Sequence, residues 1–123
     1  MPVRPVVIVV EDQTELGDVI RDVFGEEGYD VLTVRDQYAA MGELRHREVD
    51  LLVADLPVSL PGEGDPLAEI SREFPDLRLV VVTDASQEQV PFFGPWRVSG
   101  LRVSLRRPFR LADLVAASRE AVG

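Results

Sequence analysis

Residues 5–13 read PVVIVVEDQ, and this stretch decides the fold. Val6 to Val10 are five branched apolar residues without a break, and they run directly into Glu11 and Asp12. A continuous rather than alternating run suits a strand buried on both faces, as in a parallel sheet covered by helices. Adjacent carboxylates at the end of such a strand need something to make their charge tolerable, and the rest of the chain has to supply it.

Working outward, four more short apolar runs follow: Val31–Val34, Leu51–Ala54, Leu79–Val82 and Leu101–Leu105. Helical periods lie between them. Leu16, Val19, Ile20, Val23 and Phe24 fall at i, i+3, i+4, i+7 and i+8 and predict one apolar stripe. Asp12-Gln13-Thr14-Glu15 is a capping signal ahead of it, and Gly28 is placed to stop it. Tyr38, Met41 and Leu44 form a weaker stripe after Asp36. Asp65-Pro66 reads as N-cap and first residue of a helix carrying Leu67, Ile70 and Phe74, ended by Pro75. Leu111, Leu114, Val115 and Val122 mark the last. Strand–helix alternation of this kind predicts an α/β fold, a doubly wound five-stranded parallel sheet, in a single domain over residues 1–123.

One link breaks the rhythm. Residues 84–100, DASQEQVPFFGPWRVSG, should hold the fourth helix, yet Pro91, Gly94, Pro95 and Gly100 leave room for little more than a turn. A shortened or missing fourth helix is expected. Phe92, Phe93 and Trp96 sit in the same stretch; they either patch the core where a helix would have done so or form a partner surface.

Composition narrows the function. The chain has 123 residues, 46% hydrophobic and 28% charged, as in ordinary globular proteins. It has no Cys, which excludes disulfides and thiolate metal sites, and His46 alone excludes a multi-histidine site. Thirteen basic residues against 22 acidic ones give a net charge of −9, and Arg102, Arg106, Arg107 and Arg110 cluster only mildly. Direct nucleic-acid binding is therefore not expected. No apolar run is long enough to span a bilayer and no signal-peptide core opens the chain, so a cytoplasmic protein without a membrane is expected.

Ligands of open parallel sheets bind at the carboxyl ends of the strands. Glu11 and Asp12 follow the first strand, Asp55 the third, Thr83 and Asp84 the fourth, Arg106 and Arg107 the fifth. Carboxylates meeting there repel unless a cation sits among them, and all-oxygen ligands favour a hard ion such as Mg2+. Taken singly, each acid is equally well a solvated loop residue or a helix cap, and for Asp12 capping could be its whole role.

The blocks VVIVVEDQ, VDLLVADLP, LVVVTDA and LRRPFRLADLV, together with EEGYDVLTV, resemble the response-regulator receiver domain of two-component signalling, in order and spacing, across essentially the whole chain. The resemblance implies a flavodoxin-like receiver fold in which Asp55 accepts a phosphoryl group from a sensor histidine kinase or phosphotransfer protein. It implies that Glu11, Asp12, Asp55 and the backbone carbonyl of Pro57 hold magnesium. Thr83 would be the switch hydroxyl, Arg107 stands at the family's lysine, and Pro108 would follow a cis peptide bond. Such a domain is no enzyme beyond self-phosphorylation and self-dephosphorylation at Asp55. Its oligomeric state stays open, a homodimer included, and with no output domain on this chain it would be a stand-alone regulator or a piece of a larger one.

Four departures stand out. Arg107 puts a planar fork where a compact ammonium is usual. Asp84 follows Thr83 where a small residue is usual; at about 5 Å and an effective dielectric near 20, like charges cost on the order of 3 kcal/mol. Ser104 replaces the aromatic switch residue, and Ser59 a proline. Arg107 and Asp84 are expected to pair with one another. These departures keep an alternative in play: a pseudo-receiver that binds proteins without phosphorylation, using residues 84–100. A phosphatase of the haloacid dehalogenase type needs Asp-x-Asp after the first strand, which neither Glu11-Asp12 nor Asp55-Leu56-Pro57 provides.

Overall fold

The computed structural model describes residues 4–55, 66–83, 101–106 and 109–122; of Pro66–Ala68, Ser71, Leu101–Ser104, Arg106, Asp55 and Thr83 it describes the backbone only. Five strands lie among them: β1 (Val6–Val10), β2 (Asp30–Val34), β3 (Leu51–Asp55), β4 (Arg78–Thr83) and β5 (Leu101–Arg106). Four helices accompany them: α1 (Thr14–Glu26), α2 (Gln37–Leu44), α3 (Pro66–Glu73) and α4 (Leu111–Val122). All strand pairs are parallel and the order is β2-β1-β3-β4-β5. The shortened or missing helix expected over residues 84–100, and the aromatics Phe92, Phe93 and Trp96, fall outside the described residues.

The unbroken apolar runs are explained by burial on both sides. Val7, Val9, Leu51, Val53, Val80 and Val82 pack with Ile20, Phe24, Leu114 and Val115 of α1 and α4. Ile8, Leu52, Ala54, Leu79 and Val81 pack with Ala40, Met41, Leu44 and Ile70 of α2 and α3. Alternate residues of one strand thus feed two separate cores. At about 1.5–3 kcal/mol for each fully buried branched side chain, those two cores are the main driving force of the fold. On the edge strand β5, the register with β4 slips between Leu79 and Val80, so that Val80 pairs with Val103 and Arg102 is passed over. Such irregularities are common at sheet edges.

The C-terminal end of α1 is fixed where the chain turns back into β2. Gly28 adopts φ +94°, a conformation open to glycine and strained for other residues. Its N–H bonds to the Gly25 carbonyl at 3.1 Å and the Tyr29 N–H to the Phe24 carbonyl at 3.1 Å. Those two bonds, with the Phe24 and Tyr29 rings 5.7 Å apart, complete a Schellman stop. Arg4, before β1, donates to the carbonyls of Gly25, Gly28 and Tyr29. It supplies the positive charge that α1 lacks in its own last turn.

Three local expectations are corrected. The capping signal does not act as predicted: Gln13 is the N-cap of α1 and its side chain makes no capping hydrogen bond. The buried stripe of α1 is centred on Gly17, Ile20 and Phe24, whereas Leu16 and Val19 are 41% and 48% exposed. The buried face is turned by about one residue from the predicted one, with Gly17 facing Thr33 of β2 at ordinary contact distance. On α2, Tyr38 is 65% exposed, and Ala40 takes its place beside Met41 and Leu44. By contrast Asp36 caps α2 as expected, accepting from the Ala39 N–H at 2.8 Å, and α3 begins at Pro66.

Candidate functional site

The strand order reverses direction between β1 and β3: the chain moves from β1 outward to β2, then returns to lay β3 on β1's other side. That reversal opens a crevice at the carboxyl ends. Val9 pairs with Val53, so two steps further along each strand residue 11 comes level with residue 55, one strand spacing or about 4.8 Å away. Asp55 is the last residue of β3 and Thr83 the last of β4, and Thr83 is registered against Arg106 at the end of β5. The backbone therefore brings the ends of β1, β3, β4 and β5 side by side along one edge.

Glu11 remains on the ladder, its N–H donating to the Val34 carbonyl at 2.8 Å. Its half-buried side chain folds back, and Oε2 accepts from the Gln13 N–H at 3.1 Å. This takes up one of the free amides at the start of α1. Asp12 is exposed at the turn and is not the cap of α1. Sole service as a helix cap is thereby removed as its explanation.

The donor set fits a hard cation: carboxylate oxygens on adjacent strand ends and, in the whole chain, no Cys. Among the described residues there is no group of three or more His, Cys, Asp or Glu side chains arranged to hold a metal. Glu11 and Asp12 are two of the expected three carboxylates; the side chain of Asp55 lies outside the described residues. Pro57, Ser59, Asp84, Arg107 and Pro108, and the side chains of Thr83, Ser104 and Arg106, lie outside them too.

A feature absent from the sequence reading lies just below this edge. A cavity of about 280 Å³ opens between α1 and the start of α4, lined by Val9, Glu11, Leu16, Ile20, Val53 and Phe109 among others. Strand parity was its only sequence signal, since Val9, Val53 and Val82 share one face. At the start of α4, the Asp113 carboxylate accepts from the Arg110 N–H at 2.9 Å and fixes where Phe109 enters.

The family profile described as "Response regulator receiver domain" matches residues 7–119. The chain belongs to this family. Solved structures agree with the fold of a receiver domain. One is a response regulator from Thermotoga maritima, 20% identical, with 98% of each chain covered and a TM-score of 0.71. Another is the signal receiver domain of an HD domain-containing protein from Pseudomonas fluorescens Pf-5, 23% identical over 97% of this chain and 94% of that one, TM-score 0.74. NtrX from Brucella abortus is 20% identical over 98% of this chain, TM-score 0.77, but the match spans only 27% of its length. No curated protein sequence matches significantly. Among the described residues no helix is long and apolar enough to cross a membrane.

Proposed function

We propose that this receiver domain accepts a phosphoryl group on Asp55 in a magnesium-dependent reaction and thereby switches the binding of a partner protein. The observation that carries the reading is the adjacency, at one sheet edge, of the strand ends bearing Glu11 and Asp12, Asp55 and Thr83. The donor would be a sensor histidine kinase or a phosphotransfer protein in the cytoplasm. The domain would turn over no outside substrate.

In this reading an Asp55 carboxylate oxygen forms a bond to phosphorus while the bond from phosphorus to the donor breaks. The leaving electron pair stays on the donor. A carboxylate is a weak nucleophile, so the site acts by positioning and charge compensation. Glu11, Asp12, Asp55 and the Pro57 carbonyl would hold magnesium, which when bound offsets charge on the phosphoryl oxygens. Arg107 would supply a second positive charge and Thr83 a hydrogen bond to the new phosphoryl oxygens. Pro108, following a cis bond, would set the course of the chain beside Arg107.

Asp84 and Arg107 favour a second reading, a pseudo-receiver that binds partners without modification through Phe92, Phe93 and Trp96. Incubation with acetyl phosphate and magnesium, followed by intact-mass measurement, separates the two. One added phosphoryl group, absent in Asp55→Asn, is expected. No adduct at any donor concentration would support the pseudo-receiver.

A further inference from the structure

We propose that the cavity below the acidic edge is a binding site for a small primary amine with an apolar, ring-sized body. Its walls are apolar and fixed: Val9, Ile20, Val53 and Leu114 are each less than 5% exposed, yet they leave about 280 Å³ between them. The space is open to solvent on one side, and an apolar body that displaces water from it gains dispersion contacts with these walls. The size suits a body of about nine non-hydrogen atoms, and half-buried Phe109 offers a ring face or edge to it.

The mouth sets the charge. Leu16, 41% exposed, forms an apolar rim, and Glu11 is the one charged group among the described residues that line the cavity. Glu11 Oε2 is engaged by the Gln13 N–H, while Oε1 makes no hydrogen bond to the described residues. An ammonium seated at the mouth would take that oxygen in a charge-assisted hydrogen bond as its apolar body fills the interior. Glu11 at the mouth repels a ligand carboxylate seated there, which favours amines over acids. The site needs no phosphorylation of Asp55 and does not depend on the proposed function.

The test titrates phenethylamine, 2-phenylethanol and 3-phenylpropionate into magnesium-free protein while following the methyl resonances of Val9, Ile20 and Leu114. Phenethylamine is expected to shift those methyls with a dissociation constant of about 1 mM or below, as a ligand of this size can reach. The alcohol should bind at least fivefold more weakly and the acid not measurably. Glu11→Gln should bring amine and alcohol to the same affinity. Leu16→Lys, at a solvent-exposed position that does not threaten folding, should weaken the amine at least tenfold and the alcohol much less. Equal affinity of amine and alcohol for the unmodified protein would overturn the proposal, as would shifts confined to methyls outside the cavity.

Discussion

Arg45, the C-cap of α2, and Glu73, the last residue of α3, meet in two parallel hydrogen bonds, Nε to Oε1 at 3.1 Å and Nη2 to Oε2 at 3.0 Å. The pair ties together two helices that cover the same face of the sheet, over the core formed by Met41, Leu44 and Ile70. The hydrogen bond to Glu73, reinforced by its charge, raises the Arg45 pKa further above its ordinary range. Both side chains are about half exposed, so screening governs what the pair contributes. In a double-mutant cycle of Arg45→Ala and Glu73→Ala, the coupling should be detectable at low salt and vanish near 1 M sodium chloride. Coupling that survives high salt would contradict the exposed geometry.

Two glycines should respond in opposite directions to the same substitution. Gly28→Ala forces a side chain into φ +94° and should destabilise the domain by about 1–2 kcal/mol. Gly42→Ala, inside α2 with open space around the added carbon, should stabilise it by roughly 0.5–1 kcal/mol. Urea unfolding of both variants checks the signs.

Ser118 is fully buried on α4, and its hydroxyl has no hydrogen-bond partner among the described residues. An unmet buried hydroxyl costs on the order of 1–3 kcal/mol, so Ser118→Ala should raise the melting temperature. A fall in stability would mean that the hydroxyl is satisfied after all.

Tyr29 is buried, and desolvation is the main cause that raises its pKa above 10.0, against a smaller opposing effect of Arg119. Arg119 itself pairs with Glu27 at the end of α1. The folded state holds the phenol proton more firmly than the unfolded chain does. This contribution is complete below about pH 10 and is lost as the pH climbs through the folded value. Stability should therefore decline above pH 10, and the decline should be shallower in Tyr29→Phe.

If Asp84 and Arg107 suppress reactivity at Asp55, the double substitution Asp84→Ala, Arg107→Lys should increase the rate of modification by acetyl phosphate at least tenfold. An unchanged rate measured by intact mass would clear those two residues of the role.

The sequence alone determined the layers. Val6–Val10, Leu51–Ala54 and Leu79–Val82 could be assigned to a doubly covered parallel sheet because burial on both faces removes alternation, a property of the chain itself. Strand ends can likewise be counted along the chain, which set Glu11, Asp55 and Thr83 at or just past the ends of β1, β3 and β4.

What the tertiary structure decided was azimuth and space. The stripe of α1 was predicted to bury Leu16 and Val19, but the helix packs with Gly17, Ile20 and Phe24 inward and leaves both exposed. Helical periodicity fixes which residues share a face and leaves open, to within a residue, which way that face points. The same packing sets Leu16 at the mouth of a cavity whose walls come from β1, β3, β4, α1 and the start of α4. A cleft formed between five segments distant in sequence has no signature in any one of them.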